Sequence, residues 1–452
     1  MPLALQAHQA CRAGDLPRSI ALHRQALALD PGCADLWANL LHVFWLADLP
    51  HQGLEAFEQA CRHLPPRQRP WLNLGNLLRD LNRYEQADAV YHQAAAALDR
   101  DAPASEHAAV AWSHSQLLIG LERYDQAYAL AEQRFRLARH RVWRPPPYWQ
   151  GWPPVAGAGS WSAGSRGQML LWSEQGLGDA LQHLRWLPLL VQRGHQIVLE
   201  VDPPLLPLLR QGLSWLAPAL SLRPKGLAPH PLPSACQGSL LSLPWLLGGA
   251  PGAAALPAQM DQEGNARPLQ GLLRSPRWLS PPPPGSGRSP RVGLVWASGR
   301  KHGDAFVQRD YRRRSLSPEA LQALLEGLDQ AGAALVCLQY GADRQRADAW
   351  RGAFAATLAD SVDLAETARW ICALDLVITV DTAAAHLVGA LARPGWLLLP
   401  WAADPRWLRW RSDSPWYPSL TLLRQPQPGD WMGLVQEVLQ RFRSWRRLWD
   451  AP

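Results

Sequence analysis

The chain has 452 residues, enough for two or three domains that each bury a core. At 47% hydrophobic and 18% charged residues it is a folding chain, which excludes intrinsic disorder as its main state. The net charge of +7 admits an anionic partner such as a sugar nucleotide, a phospholipid surface or nucleic acid, and singles out none of them.

In chain order, the first residues offer no basic region leading into an apolar core, because Gln6, His8, Arg12 and Asp15 interrupt it. No signal peptide is therefore expected. A repeat follows at once. Trp37 recurs as Trp71, Leu40 as Leu74, Phe44 as Leu78, Phe57 as Tyr91 and Ala60 as Ala94, each 34 residues on. The same step joins Gly14 to Asp48, Ala26 to Ala60 and Pro31 to Pro65. After an insertion, Arg83-Tyr84-Glu85-Gln86-Ala87 returns as Arg123-Tyr124-Asp125-Gln126-Ala127. Two short amphipathic helices per unit account for this pattern. Ala60, Ala87 and Ala94 let paired helices approach, aromatic residues fill the space between units, and proline ends the second helix. The pattern resembles the tetratricopeptide repeat over residues 1–140. Such a surface implies a peptide, a protein partner or an acceptor substrate as ligand; the alternative is a scaffold with no dedicated ligand.

From 141 to 166 the helical period gives way to Pro145, Pro146 and Pro147 and a Gly/Ser/Ala run, which reads as a linker. Beyond it short apolar runs alternate with helical stretches, the signature of α/β layers. Residues 168–172 and 196–201 predict strands, and 179–192 and 205–213 predict helices. A second break at Pro281–Pro284 separates a first lobe, 167–285, from a second, 286–452. In the second lobe strands are predicted at 291–297, 334–340, 376–380 and 395–401. Helices are predicted at 318–330, 366–374 and 383–392, and a final helical stretch at 431–449 is expected to cross back to the first lobe. The most apolar segment, 374–401, carries Asp375, Asp381, His386 and Arg393, so buried strands explain it better than a membrane span.

Two strand-to-helix junctions carry candidate chemistry. The first is Ser173-Glu174-Gln175-Gly176-Leu177-Gly178-Asp179. Gly176 and Gly178 permit a tight turn and close approach of a substrate to the backbone. Asp179, at the start of the following helix, has two readings: a general base for an acceptor hydroxyl, or an ordinary helix cap. The second junction is Val380-Asp381-Thr382-Ala383-Ala384-Ala385-His386-Leu387. Small residues at a helix start leave backbone N–H groups unobstructed, which suits a diphosphate. Thr382 adds a hydroxyl. His386 lies one turn further on about the same face, where it reads either as a ligand contact or as a satisfied core histidine, and Asp381 as a contact or a cap.

Taken together these motifs resemble glycosyltransferase family 9, the heptosyltransferase-related enzymes, and more closely those preceded by tetratricopeptide repeats. The resemblance rests on Glu174–Asp179, Gly293–Ala297, Arg314-Ser315, Val380–Leu387 and Asp413–Pro418 in that order, and covers nearly the whole chain. It implies an α-helical repeat solenoid followed by a GT-B region of two Rossmann-like α/β lobes, acceptor on the first and nucleotide-sugar donor on the second. It implies inverting transfer without a bound metal or other cofactor, the nucleotide sugar being a co-substrate. Asp179 matches the catalytic aspartate, with Glu174, Gln175, Gly176 and Gly178 as its acceptor-side loop. Trp296, Arg314, Ser315, Asp381, Thr382, Ala383 and His386 fall on the donor side. A glycan, lipid-linked or protein acceptor is the expected partner.

One stretch departs from that pattern. Residues 301–314, with Lys301, His302, Arg309, Arg312, Arg313 and Arg314, read as an extra basic loop, mobile and closing on donor phosphates through Arg314, or else as a solvated loop. Asp99-Arg100-Asp101 reads as a solvated pair in a loop rather than a metal site. The basic-aromatic stretches at 406–411 and 441–447 are expected to pack, against the cleft or core and on the last helix respectively, rather than to bind nucleic acid. The scattered cysteines (Cys11, Cys33, Cys61, Cys236, Cys337, Cys372) fit a reducing cytoplasm. A cytoplasmic protein, or one peripheral at the inner face of the membrane, is expected. Two competing functions remain open: a non-catalytic repeat scaffold with a degenerate sugar-nucleotide-binding region, and an epimerase on the same two-lobed fold.

Overall fold

A computed structural model of the chain describes residues 2–137, 168–226, 237–247, 258–260, 266–268, 271–273, 289–299, 305–359 and 363–449. The expected linker at 141–166, the Pro281–Pro284 break, Lys301, His302 and Cys236 lie outside the described residues.

The N-terminal helices come in hairpins: α1 (Leu3–Arg12) with α2 (Leu16–Leu29), α3 (Ala34–Leu46) with α4 (Pro50–His63), α5 (Trp71–Asp80) with α6 (Tyr84–Ala97), and α7 (Ala104–Gly120) with α8 (Tyr124–Ala131). Each hairpin turns on one left-handed residue. These are Gly14, Asp48, Asn82 and Glu122, with φ of 81°, 57°, 57° and 60°. The first three keep the 34-residue step, and Gly, Asp and Asn are the types that adopt this conformation most readily. Small residues do sit where helices meet. Ala60 and Ala87 are fully buried, and a Cβ on Gly75 would come within 2.6 Å of the Tyr91 ring. The repeat tryptophans are each tied to a proline carbonyl a few residues earlier, Trp37 to that of Pro31 (2.9 Å) and Trp71 to that of Pro66 (2.7 Å).

Two parallel sheets follow. The first lobe holds β1 (Gln168–Trp172), α9 (Leu177–His183), α10 (Leu187–Gln192), β2 (Gln196–Val201), α11 (Leu206–Gly212), β3 (Leu220–Pro224), β4 (Gln237–Ser239) and α12 (Leu243–Leu246). Its strand order is β3-β2-β1-β4, with Leu170 beside Val198. A small antiparallel pair, β5 (Ala258–Met260) and β6 (Ala266–Pro268), comes next. The second lobe holds β7 (Arg291–Val295), α13 (Ala305–Arg314), α14 (Pro318–Gln330), β8 (Ala334–Cys337), β9 (Ala356–Thr357), α15 (Leu364–Cys372), β10 (Leu376–Val380), α16 (Ala383–Ala390), β11 (Gly395–Leu399), β12 (Leu420–Arg424) and α17 (Trp431–Trp449). Its order is β12-β11-β10-β7-β8-β9, all parallel, with Ile378 beside Leu294. Every residue of β10 and β11 is buried, as strands covered on both faces require. Among the described residues no helix is long and apolar enough to cross a membrane.

Among the described residues, the last helix, α17, packs on α14 and β12 of its own lobe. Leu439 fills the space above Gly327, Arg446 reaches the carbonyl of Gly332 (2.8 Å), and Phe442 and Trp445 close on Trp396.

By its internal contacts the chain forms two compact units. One holds α1–α8 with α13 as far as Arg313 and the segment Ala402–Trp410; the other holds both sheets, their helices and α17. The stretch expected as a mobile basic loop is, over its described part, a helix whose Arg309 and Arg313 are committed to the repeats, while Arg314 at its end turns to Asp381. Asp80 accepts from Arg309, from Arg313 (2.9 Å) and from the Trp45 indole (2.9 Å). Asp48 takes the other side of Arg309 at 2.9 Å, and the guanidinium lies 4.1 Å above the Trp45 ring, on which Phe306 also stacks. The segment around 406–411 is anchored in the same unit. Trp407 is fully buried, while Arg409 bonds the Asn82 carbonyl and lies 4.4 Å from the Tyr84 ring.

Burial of Asp80 works against its charge, but Arg313, Arg309 and Arg79 outweigh it and hold the carboxyl below the ordinary carboxylate range. Removing one member of a buried pair costs about 3–5 kcal/mol, so Asp80→Asn is expected to lower the unfolding temperature of the repeat unit clearly. A depressed carboxyl contributes stability above its unfolded pKa, about 3.9, and loses it as pH falls toward the folded value. The stability gap between wild type and Asp80→Asn should thus be flat near neutrality and close below about pH 4. Thermal unfolding across pH reads both effects, and an unchanged midpoint at pH 7 would contradict them.

Candidate functional site

In an open parallel sheet, ligands settle outside the carboxyl ends of the strands where the strand order reverses. In the first lobe that point lies between β1 and β4, and in the second between β7 and β10. Both candidate junctions fall at these places.

At the first reversal, Glu174 leaves β1 and accepts a hydrogen bond from Ser239 at the end of β4, so one carboxylate ties the two strand ends. Ser173 and Lys225 converge on Asp202 at 2.9 and 2.8 Å. Gln175 is exposed with φ of 64°, and the turn it makes presents Gly176 as the cap of α9. Asp179 is the third residue of α9, where its carboxylate accepts from the Gly176 N–H at 2.9 Å. The cap reading of Asp179 therefore describes an interaction this structure contains. It also fixes a half-buried carboxylate at the positive end of a helix, at the mouth of the sheet.

At the second reversal, Thr382 caps α16 by accepting from the Ala384 N–H (3.2 Å), and Ala383 and Ala384 beyond it are only half-buried. Asp381 is buried; Arg314 donates to its carbonyl at 3.3 Å and stands 3.9 Å from its carboxylate. Ser315 accepts from the Ser298 N–H at 3.1 Å and so fixes the chain leaving β7. Trp296 is enclosed in the core with its indole on the Asp343 carbonyl (2.9 Å), so only its backbone borders the reversal. Gln339, after β8, accepts from the N–H groups of both Trp296 and Ala297 at 3.1 and 3.0 Å. A hollow of about 250 Å³ opens at the carboxyl ends of β8 and β9, lined by Cys337, Arg344, Asp348, Trp350, Phe354 and Thr357 among others.

The two junctions meet. The buried imidazole of His386 lies on Gly178, where a Cβ would come within 2.6 Å of its Cδ2. Its Nδ1 pairs with the Tyr417 hydroxyl at 3.0 Å, with the rings edge to face. Tyr417 and Trp416 in turn flank the Arg185 guanidinium at 5.2 and 5.0 Å, and Arg185 bonds the Trp416 carbonyl. The segment Asp413–Pro418 thus has a physical role as the support of His386. Arg185, Gln339 and Ser239 were not singled out from the sequence. A single arginine in a helix, a glutamine after a strand and a serine in a three-residue strand carry no local signal. Asp99-Arg100-Asp101 matches its surface reading, with Asp99 paired to Arg67 at 3.6 Å and both exposed.

Fold and site define a class: tetratricopeptide-type helical repeats ahead of a two-lobed, GT-B-like α/β region whose two strand-order reversals converge. No protein-family model matches the chain. Protein FlbA of Caulobacter vibrioides is 24% identical over 453 residues, spanning 96% of this chain and 72% of that protein. Over 61% of this chain and 98% of the other, the structure is similar to the E. coli ADP-heptose lipopolysaccharide heptosyltransferase II, with 14% identity and a TM-score of 0.37. Over 31% of this chain and 61% of the other it is similar to Pseudomonas aeruginosa PilF, with 23% identity and a TM-score of 0.27.

The Gly178–His386 contact makes a direct prediction. Gly178→Ala must displace a buried ring, and overpacking of this kind costs about 1–3 kcal/mol. Gly176→Ala is the control, since a Cβ there meets nothing closer than a carboxylate oxygen of Asp179 at 3.2 Å. Thermal unfolding should separate the two variants, and equal losses would show that the His386 contact is not the reason for glycine at 178.

Proposed function

We propose that this chain is a glycosyltransferase that moves a sugar from a nucleotide-sugar donor to an acceptor hydroxyl, with inversion and without a metal. The observation that carries the proposal is the meeting of two helix starts, α9 with Asp179 and α16 with Asp381, Thr382 and His386, each at the strand-order reversal of its own sheet.

In this reading Asp179 takes the proton of the acceptor hydroxyl as its oxygen attacks the anomeric carbon. The bond from that carbon to the donor phosphate breaks on the opposite face, and its electron pair leaves with the nucleoside diphosphate. Backbone N–H groups at the start of α16, the Thr382 hydroxyl and the Arg314 guanidinium face that negative charge. Glu174, Gln175, Gly176 and Gly178 shape the acceptor side, Ser315 and Trp296 brace the donor side, and the hollow beyond β8 receives the nucleoside. The repeats recruit the acceptor or a protein partner.

The cap bond of Asp179 favours a second reading, a sugar-nucleotide-binding scaffold without transfer. Asp179→Asn separates the two, because the amide oxygen can still accept from Gly176 and keep the helix start. With general-base catalysis worth about 10²–10⁴-fold, transfer and donor hydrolysis should fall by that factor while donor-induced thermal stabilisation persists. Arg314→Ala should instead weaken the stabilisation itself. Wild-type activity in Asp179→Asn would remove this residue from the chemistry. No stabilisation of the wild type by a panel of nucleotide sugars would favour the scaffold.

A further inference from the structure

One cluster outside both junctions combines metal-ligand chemistry with suitable spacing. Asp88 and His92 lie one turn apart on α6, and His114 projects beside them from α7. One ligand atom of each lies within 4.8 Å of the other two. His114 Nε2 is 2.6 Å from Asp88 Oδ1, and His92 Nε2 is 3.8 Å from the same oxygen. An ion bound at about 2.0–2.2 Å in a tetrahedral site separates its ligand atoms by roughly 3.3 Å. The His92 pair is already near that separation, and the His114 pair reaches it by opening its hydrogen bond by less than about 1 Å.

The surroundings orient all three groups. Arg123 bonds the second carboxylate oxygen of Asp88 at 2.7 Å, leaving the ligand role to Oδ1 and fixing the plane of the carboxylate. The Tyr91 ring stacks on His114 at 5.4 Å and is itself held by a bond from its hydroxyl to Asn76 (2.8 Å). Two imidazoles and one carboxylate make a set suited to zinc and its neighbours, and unsuited to magnesium or calcium, which prefer oxygen. The arginine charge beside the carboxylate tempers the affinity without removing a ligand atom.

We propose that Asp88, His92 and His114 form a binding site for a zinc-class divalent ion that staples α6 to α7, adjacent helices of successive repeat pairs. No step of the transfer proposed above uses this ion. The alternative is a purely hydrogen-bonded cross-link, in which Asp88 joins His114 to Arg123 and His92 stays in solvent.

Chelator-treated full-length protein titrated with ZnCl₂ and CoCl₂ distinguishes them. Binding to the folded state should raise the unfolding temperature by at least about 3 °C in saturating Zn²⁺, and Co²⁺ should give the visible absorption of a low-symmetry nitrogen and oxygen site at one equivalent. His92 is 70% exposed, so His92→Ala should keep the metal-free unfolding temperature and lose both responses. Asp88→Asn should lose them too. No response in the wild type, or an undiminished response in His92→Ala, overturns the assignment; the latter would place the ion at other histidines or at cysteines.

Discussion

Position 178 has no side chain because the space is occupied by His386. The imidazole comes from a helix that starts at the reversal point of the second sheet, and the glycine lies in the first turn of a helix that starts at the reversal point of the first. That ring fills the space between the two helix starts. Tyr417 holds it through the hydroxyl, and Arg185 braces Tyr417 from the first lobe, so the contact closes into a circuit across both lobes. The polar groups that could act on a sugar and on a phosphate are brought near one another by this circuit. Each junction by itself is an ordinary strand-to-helix turn.

A second constraint governs the repeats. Asp80 is nearly buried and carries its charge against that burial, sustained by Arg309 and Arg313 delivered from α13 together with its neighbour Arg79. In sequence α13 interrupts the second lobe, yet it folds with α1–α8, as does the segment around Trp407. The positive φ of Asp48 has a double use here. It turns the helix hairpin, as Gly14 and Asn82 do, and it points a carboxylate at Arg309. A repeat position chosen for backbone conformation thereby becomes part of an ionic site.

The candidate site was legible in parts that depend on local rules. The Glu174–Asp179 and Val380–Leu387 junctions stand out because small residues and a capping side chain must follow a buried strand directly. Their neighbours were not legible. Trp296 was placed on the donor side, and its indole lies in the core; a strand residue's alternation does not reveal which face a covering helix will close. Gln339 braces the loop after β7 from a strand more than forty positions away, and nothing in its local sequence marks it. The run at 301–314 could be read only as basic. Its amphipathic helix has meaning through Asp80, which lies some 230 residues earlier, and through Asp48 and Trp45, which lie earlier still.

By itself the sequence determined the helix pairs and their 34-residue step, the buried strands, and the chemistry offered at each strand end. These follow from periodicity, capping and apolar runs, which act between residues a few positions apart. Tertiary structure alone decided which strand ends lie side by side, that α17 packs on α14 and β12, and that the basic helix serves the repeats. It also decided that Gly178 and His386 meet. Those outcomes depend on which distant surfaces fit and which buried charges find partners, and no short window of sequence encodes that.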